Sequence, residues 1–198
     1  MSMKDDVAYV VQDCEKNGVI ITRDVSGCGI HRSALQKLTA SGEFYRAARG
    51  IYVREGEWED EFFLLQQRYR RGVFSHATSL YLHGYSDRVP LSFQMTFPKG
   101  YNSPSLKEEN VCVTRVSAEN YNLGISEIET PAGNTVRAYD LERSLCDVLR
   151  GKGDDIQIVQ AAMKKYACSK ERDISKLMRY ARQLRVEPKV RNYMEVLL

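Results

Sequence analysis

The residues that decide the fold of this chain are 22–53, TRDVSGCGIHRSALQKLTASGEFYRAARGIYV. The segment that starts at Thr22 predicts a first short helix, because threonine is a frequent helix N-cap. A second helix is predicted to begin near His31 and to end at Gly42. Two strands then flank a short loop at 47–50. Two helices joined by a tight turn and followed by a hairpin are typical of a winged helix-turn-helix.

The second predicted helix has one apolar face and one polar face. Leu35 and Leu38 lie one turn apart on the apolar side. Residues three and four apart share a helical face, so the opposite arc carries four polar side chains, which are Arg32, Ser33, Gln36 and Lys37. In a winged module such a helix enters the major groove, where glutamine and arginine pair with base edges and serine and lysine more often reach phosphate. The alternative is an ordinary solvated helix face.

The predicted hairpin carries two arginines. Arg46 lies in its first strand and Arg49 at its tip, where Gly50 allows a tight turn. We expect both arginines to contact the DNA backbone or the minor groove. The alternative is a hairpin whose arginines are merely exposed.

The composition is that of an ordinary globular protein. The chain has 198 residues, of which 43% are hydrophobic and 28% are charged, enough for one or two domains with a real core. No apolar run is long enough to cross a bilayer, and the N-terminal MSMKDDVAYVV is too acidic for a secretory signal. We therefore expect a cytoplasmic protein with no membrane partner.

Residue patterns that would indicate catalysis or metal binding are missing from the sequence. The five cysteines are scattered without a Cys-x-x-Cys pair, and no histidine lies near them at zinc-finger spacing. His76 and His83 share a helical face, but no carboxylate is in register with them. There is no glycine-rich phosphate loop and no nucleophile motif. We expect free thiols, no metal site, no cofactor and no enzymatic activity.

The rest of the chain predicts a second, mixed domain. The acidic segment 55–60 marks the boundary, so we expect a DNA-binding domain at 1–56 and a second domain at 60–198. A first helix is predicted at 4–17. In the second domain we expect helices at 61–71, 76–83, 156–166, 174–184 and 190–198. We expect strands within 89–98, 111–116, 123–128 and 135–139. A further helix is predicted to be capped by Asp140 and to contain an Arg143–Asp147 ion pair. The expected class is α+β, an N-terminal winged helix-turn-helix followed by a mixed α/β domain with a helical C-terminus.

Basic residues are concentrated in the C-terminal segment. Residues 164–198 hold ten basic and four acidic side chains, although the whole chain has a net charge of only +3. One predicted helical face carries Lys176, Arg179, Arg182 and Arg185. A solvated face, a second DNA contact and a contact with an acidic protein partner all remain open for it.

Three segments, taken in order, resemble AbiEi-type antitoxins. The first is GIHRSALQKLTASGEFYRAARGIYV, in which the family pattern is met by Leu35, Leu38, Gly42, Phe44, Arg46, Arg49, Gly50 and Tyr52. The second is FSHATSLYLHGYSDRVP. The third is VRAYDLERSLCDVLR, which carries Glu142, Arg143, Ser144, Leu145 and Asp147. Together they extend over roughly residues 3 to 150, and the last fifty residues match less clearly.

The resemblance implies a specific function. AbiEi proteins are antitoxins of bacterial abortive-infection toxin–antitoxin systems, which act against bacteriophage. Their winged helix represses the operon's own promoter by binding inverted repeats in double-stranded DNA, so two copies are expected on the operator. The C-terminal domain neutralises a toxin that resembles nucleotidyltransferases, and in that family neutralisation is thought not to require a stable complex.

Two other functions stay open at the sequence level. The first is a transcriptional regulator whose second domain senses a ligand or forms dimers, without a toxin partner. The second is an enzyme that acts on nucleic acid, which would need a carboxylate cluster that the sequence does not show. A neighbouring nucleotidyltransferase gene would favour the antitoxin. The mechanism of neutralisation, by masking, reversal or competition, also stays open.

Overall fold

The computed structural model describes residue 12 and residues 19–27, 33–48, 50–56, 59–151 and 154–197. The chain divides into two compact units, Met1–Arg68 with Ala132–Asn134, and Tyr69–Pro131 with Thr135–Leu198. Helices and strands occur in both units, so the expected α+β class is confirmed. Apart from residue 12, which is helical, the predicted helix at 4–17 lies outside the described residues, and so does the beginning of the helix at His31.

The first unit is built on a three-stranded antiparallel sheet. Its described elements are β1 (Val19–Ile21), α1 (Thr22–Gly27), α2 (Ser33–Ala40), β2 (Phe44–Ala48), β3 (Ile51–Arg54) and α3 (Glu61–Arg68). The strand order is β1-β3-β2, with Val19 opposite Val53 and Phe44 opposite Arg54. The hairpin strands β2 and β3 were predicted, whereas β1 was not, because a strand of three residues gives no clear alternation.

The helices α1 and α2 pack on this sheet through one apolar core. Its buried side chains are Ile20, Val25, Ala34, Leu35, Leu38 and Phe44. Asp60 then begins α3 by accepting a hydrogen bond from the Phe63 amide at 3.1 Å, and its other oxygen accepts one from Asn134 Nδ2 at 2.9 Å. These contacts place α3 and residues 132–134 in the first unit, so the division falls one helix later than the predicted boundary at 56–60.

The second unit contains a five-stranded mixed sheet. Its elements as far as the sheet extends are β4 (Val73–Phe74), α4 (His76–Leu82), β5 (Phe93–Pro98), a 3-10 turn (Pro104–Lys107), β6 (Val111–Val116), α5 (Ala118–Asn122), β7 (Ile125–Glu129) and β8 (Thr135–Tyr139). The strand order is β6-β5-β4-β8-β7. β6 and β8 have the predicted bounds, whereas β7 starts later than predicted because residues 123 and 124 form the turn that follows α5. The two-residue β4 was not predicted.

Four helices complete the second unit. They are α6 (Leu141–Val148), α7 (Ile156–Cys168), α8 (Ile174–Gln183) and α9 (Glu187–Leu197). Their shared core includes Leu145, Met163, Tyr166 and Leu177. The predicted cap of α6 is confirmed, since Asp140 Oδ1 accepts a hydrogen bond from the Arg143 amide at 2.9 Å. Within the described residues, no helix has the length and apolar composition needed to cross a membrane.

Candidate DNA interface

The described part of α2 has the two faces that the sequence predicted. Ala34, Leu35 and Leu38 are buried against the core of the first unit, and Gln36 and Lys37 are exposed. Ser33 is half-buried at the first residue of the helix. Arg32, the fourth predicted residue, lies outside the described residues. Gln36 and Lys37 therefore form the described polar face of α2.

The C-terminal turn of α2 is held by side chains as well as by its backbone. The Thr39 hydroxyl donates to the carbonyl oxygens of Leu35 and Gln36, each at 3.0 Å, and the Ser41 hydroxyl donates to the Leu38 carbonyl at 3.0 Å. The Leu38 carbonyl is one of the last four of the helix, which lack intrahelical amide partners, and Thr39 gives the Leu35 and Gln36 carbonyls a second donor. The turn that carries Gln36 and Lys37 is thus fixed in position.

The hairpin tip is attached to the start of α1. Gly50 has a φ of 79°, a conformation that glycine adopts at low cost. Its carbonyl accepts a hydrogen bond from the Thr22 amide at 2.8 Å, and a Cβ at this position would lie 3.5 Å from Thr22 Oγ1. The positive φ explains the glycine, since a Cβ at this distance would make only ordinary contact, and the hydrogen bond joins the tip to the start of α1.

Of the two predicted hairpin arginines, the structure describes Arg46. Its side chain is exposed, and its Nε donates to the Ala48 carbonyl at 3.3 Å across an irregularity in the strand pairing. Arg49 lies outside the described residues. Arg23, on the exposed side of α1, is a further basic residue of this unit that the sequence analysis did not single out, because a single arginine after a capping residue carries no specific signal.

Tyr45 forms a polar contact at the base of the hairpin. Its hydroxyl donates to the Glu59 carboxylate. This hydrogen bond, with desolvation and the nearby negative charge, raises the pKa of Tyr45 to about 12. The phenol is therefore neutral at physiological pH and serves as a hydrogen-bond donor.

The four C-terminal basic residues do not form the continuous face that the sequence predicted. The Lys176 ammonium group is ion-paired within the second unit, 3.1 Å from Asp140 Oδ2 and 2.9 Å from Glu142 Oε2. Burial lowers the pKa of Lys176, but the two carboxylates outweigh it and raise the pKa overall. This lysine attaches α8 to the start of α6, so its charge is already neutralised.

The other three residues are exposed and have different surroundings. Arg182 Nε pairs with Glu187 Oε1 at 3.3 Å, and the Arg179 guanidinium lies 5.4 Å from the Tyr180 ring centroid. Arg185 lies beyond the end of α8 in a left-handed conformation with a φ of 60°. The predicted repeat of three therefore breaks, because the helix ends before Arg185.

The third family-like segment lies inside the second unit. The fully buried Arg143 Nε pairs with Asp147 Oδ2 at 3.0 Å, which confirms the predicted ion pair. Its Nη1 donates to the carbonyls of Asn120 and Leu123 at 2.5 and 3.1 Å. The Arg143 guanidinium also lies 4.2 Å from the Tyr139 ring centroid. These contacts connect α6 to the segment before β7, so the motif has a structural role.

The described histidines, His76 and His83, make hydrogen-bond contacts within the second unit. His83 Nε2 lies 2.8 Å from the Tyr139 carbonyl, and His76 Nδ1 lies 3.0 Å from Ser75 Oγ. Among the described cysteines, three are free thiols, which are Cys112, Cys146 and Cys168. The part of the chain that the structure describes contains no group of histidine, cysteine and acidic residues suited to a metal ion.

The helix pair and hairpin of the first unit have counterparts among known proteins. Residues 15–54 match the AbiEi_4 family, described as "Transcriptional regulator, AbiEi antitoxin". The resemblance to AbiEi-type antitoxins is thus confirmed over this segment, and it supports an antitoxin or regulator role. No curated protein matches the chain.

The fold as a whole is similar to that of a solved bacterial protein. The crystal structure of the RV2827C protein from Mycobacterium tuberculosis is matched with a TM-score of 0.57 and 18% sequence identity, over 96% of this chain and 78% of that chain. At this identity the likeness concerns the fold alone.

Proposed function

We propose that residues 19–54 are a winged helix-turn-helix that binds double-stranded operator DNA, and that the protein represses its own promoter at inverted repeats. One observation carries the proposal. The exposed pair Gln36 and Lys37 lies on a fixed helix beside a two-stranded hairpin, within the segment that matches the antitoxin regulator family. The strand order β1-β3-β2 supports it, since the hairpin strands β2 and β3 form two of the three strands of the small sheet on which α1 and α2 pack.

The side chains of the first unit have complementary roles in this proposal. Gln36 is suited to pair with an adenine edge, and Lys37 is suited to contact phosphate. Ser33 fixes the register of α2, and Arg46 contacts the flanking backbone or minor groove. Arg32 and Arg49, which the sequence places on the same helix and at the hairpin tip, complete the interface.

The second part of the proposal concerns the second unit. We propose that it neutralises a nucleotidyltransferase-like toxin in the bacterial cytoplasm, as part of an abortive-infection system, without catalysis and without a stable complex. The family match of the first unit supports this role. The side chains of the Glu142–Asp147 segment are buried in the second unit. A toxin or its target would therefore contact exposed residues of the second unit outside this segment.

Removing the side chains of Gln36 and Lys37 is expected to weaken operator binding. Each single alanine variant loses about one base-edge or phosphate contact, which corresponds to roughly a tenfold weaker footprint on the inverted repeats of the promoter. Lys37→Ala is expected to weaken specific and random DNA alike and to lower the salt dependence, whereas Gln36→Ala is expected to weaken the specific site alone. Footprinting at several salt concentrations measures both effects.

Lys99→Ala is the matched control, because Lys99 is an exposed lysine of the second unit. It is expected to leave the footprint unchanged. Equal affinity of the wild-type protein for promoter and random DNA at moderate salt would refute the operator proposal. Arg46→Ala and Arg49→Ala test the hairpin in the same assay.

DNA binding and neutralisation are expected to separate in the full-length chain. A Gln36→Ala/Lys37→Ala double variant should lose repression of a promoter reporter and yet still protect cells that express the toxin from an independent promoter. The physical reason is that the two changed side chains are exposed on the first unit and contribute nothing to the core of the second. Colony counts and reporter activity in the same strain measure both functions.

Loss of protection together with loss of repression would contradict this assignment of neutralisation to the second unit. If the wild-type chain gave no protection against a toxin encoded beside it, the regulator without a toxin partner would be the correct function. Equal protein levels, verified by immunoblot, are required in either comparison.

A further inference from the structure

Tyr101 lies in the loop that follows β5 in the second unit. Its ring is stacked on that of Phe97, with the centroids 4.6 Å apart and an angle of 10° between the planes. Phe97 is fully buried, whereas Tyr101 is half-buried. A Cβ on Gly100, the residue before Tyr101, would meet nothing within 4 Å, so the space beside this loop is open. The Tyr101 ring is therefore held against the core and remains partly accessible.

Two arginines that are distant in the sequence meet at this tyrosine. The Arg71 guanidinium lies 5.8 Å from the centroid of the Tyr101 ring, and Arg115 Nε donates a hydrogen bond to the Tyr101 carbonyl at 3.0 Å. Arg71 is in the turn before β4, and Arg115 is in β6, opposite Phe97. Both arginine side chains are exposed. Together, Arg71, Tyr101 and Arg115 form a basic and aromatic cluster, the Tyr101 site.

The two arginines of the Tyr101 site keep most of their hydrogen-bond donors unused. Within the described residues neither arginine forms an ion pair, Arg115 donates through Nε alone, and the Arg71 side chain donates no hydrogen bond. A guanidinium carries five N–H donors in a planar fork that matches the oxygens of a phosphate. Other arginines of the second unit are paired with acidic side chains, namely Arg88, Arg143, Arg182 and Arg191. The Tyr101 site thus combines an aromatic ring with two arginines that are available to an anionic ligand.

The backbone that carries Arg71 is held in position by side chains of other elements. Arg137 Nη1, in β8, donates to the Arg70 carbonyl at 3.0 Å, and the Tyr121 hydroxyl, in α5, donates to the Arg71 carbonyl at 2.7 Å. Arg137 Nη2 also donates to the Tyr121 hydroxyl at 3.3 Å. Because both carbonyls are bound, the Arg71 side chain extends from a fixed point of the backbone.

Gly72 brings the same turn close to the aromatic pair. A Cβ at this position would collide with the Met95 side chain and lie 3.0 Å from the Phe97 ring. Any side chain here would therefore displace the turn from the ring on which Tyr101 is stacked. The absence of a side chain at residue 72 thus lets the turn that carries Arg71 pack directly on Phe97.

We propose that the Tyr101 site binds a single-stranded nucleic acid. A nucleobase stacks on the accessible part of the Tyr101 ring, and the phosphates beside it accept hydrogen bonds from the Arg71 and Arg115 guanidinium groups. Stacking on an aromatic side chain, combined with positive charge along the backbone, is how proteins bind single strands without a strong sequence preference. The site lies outside α2 and the β2–β3 hairpin, so this inference goes beyond the proposed operator interface and does not depend on it.

The composition of the site favours a single strand over a duplex. Contacts with duplex backbone require the two arginines alone and leave the Tyr101 ring without a role, because paired bases are stacked inside the double helix. The bases of a single strand are free to unstack and to place one face on an aromatic ring. The open surface beside Gly100 also favours a strand over a free mononucleotide, since a strand presents several phosphates to both arginines at once.

Fluorescence anisotropy of the full-length protein with labelled oligouridylate and oligodeoxyuridylate, each of about 12 nucleotides, tests the proposal. The wild-type protein is expected to bind, and the tighter of the two oligonucleotides identifies RNA or DNA as the preferred strand. Tyr101→Leu keeps an apolar contact with Phe97 but removes stacking, so it should weaken binding by about tenfold or more, whereas Tyr101→Phe should stay within about twofold of the wild type. Arg71→Gln and Arg115→Gln should each weaken binding and lower the slope of log affinity against log salt by about 0.7.

Arg172→Gln is the matched control for the two arginine variants. Arg172 is also an exposed arginine of the second unit and also donates to one carbonyl, that of Ser169 at 2.8 Å, but it contacts no residue of the Tyr101 site. Its replacement should leave the affinity for both oligonucleotides unchanged. Circular dichroism of each variant verifies that a loss of binding is not a loss of folding.

The two binding sites are expected to respond independently. Tyr101→Leu should leave the affinity for the operator duplex unchanged, and Gln36→Ala/Lys37→Ala should leave the affinity for the single strand within about twofold. The proposal is overturned by a wild-type protein that binds neither oligonucleotide, by a Tyr101→Leu variant that binds them as the wild type does, or by equal losses on duplex and single strand. The expected responses on single strands without an operator footprint would refute the proposed function and leave the Tyr101 site intact.

Discussion

Replacing Arg143 with methionine is expected to lower the free energy of unfolding of the second unit by about 3–5 kcal/mol. The substitution leaves Asp147 buried without its main partner, since the remaining contact is with Arg150 at 3.5 Å. It also removes the donor that the carbonyls of Asn120 and Leu123 share. A buried polar group that loses its partner pays the full cost of desolvation.

Thermal unfolding followed by circular dichroism measures this effect, which corresponds to a midpoint lowered by roughly 6–20 °C in a chain of this size. Arg182→Met is the control, because this arginine is exposed and its pairing with Glu187 contributes little to stability. The double variant Arg143→Met/Asp147→Leu should be more stable than Arg143→Met alone, because it removes the stranded carboxylate. A midpoint within two degrees of the wild type would show that Arg143 does not hold α6 in place.

Replacing Gly124 with alanine is expected to destabilise the same region by about 2–4 kcal/mol. Gly124 has a φ of 77°, in which a side chain is strained. In addition, its Cβ would lie 3.0 Å from both the Cβ of Arg143 and Oδ2 of Asp140. Neither neighbour can move freely, because one belongs to the buried ion pair and the other caps α6.

Gly100→Ala separates the two causes. Gly100 has a similar φ of 87°, but a Cβ there would meet nothing within 4 Å. Its loss of stability should therefore be limited to the backbone strain, about 1 kcal/mol. Urea unfolding of the two variants measures the difference. Equal losses for both glycines would mean that the clash beside Arg143 is relieved by relaxation and that the packing here is looser than described.

Both substitutions test contacts of a segment that resembles AbiEi-type antitoxins. The Glu142–Asp147 segment was one of the three that resembled AbiEi-type antitoxins, and its side chains are buried in contacts within the second unit. Their residue types are therefore accounted for by packing and pairing within the second unit. We therefore expect partners of the second unit to contact its accessible surfaces.

Much of the local structure followed from the sequence. The two faces of α2 came from the spacing of Leu35 and Leu38 and of the polar residues between them. The cap at Asp140 and the bounds of β6 and β8 were likewise predicted from neighbouring residues. Helix periodicity, capping and strand alternation depend on residues a few positions apart, so a single sequence suffices to show them.

Other features depended on residues that are distant in the sequence. β1 is a strand because its residues pair with β3, with Val19 opposite Val53. The Lys176 ammonium group forms ion pairs within the second unit because Asp140 and Glu142 lie beside it. The sequence by itself determined which segments are amphipathic and where the cap of α6 lies. Only the tertiary structure decided which basic side chains are neutralised internally and which apolar ones, such as Ile156 and Val196, remain exposed, because burial and ion pairing depend on the residues that folding brings together.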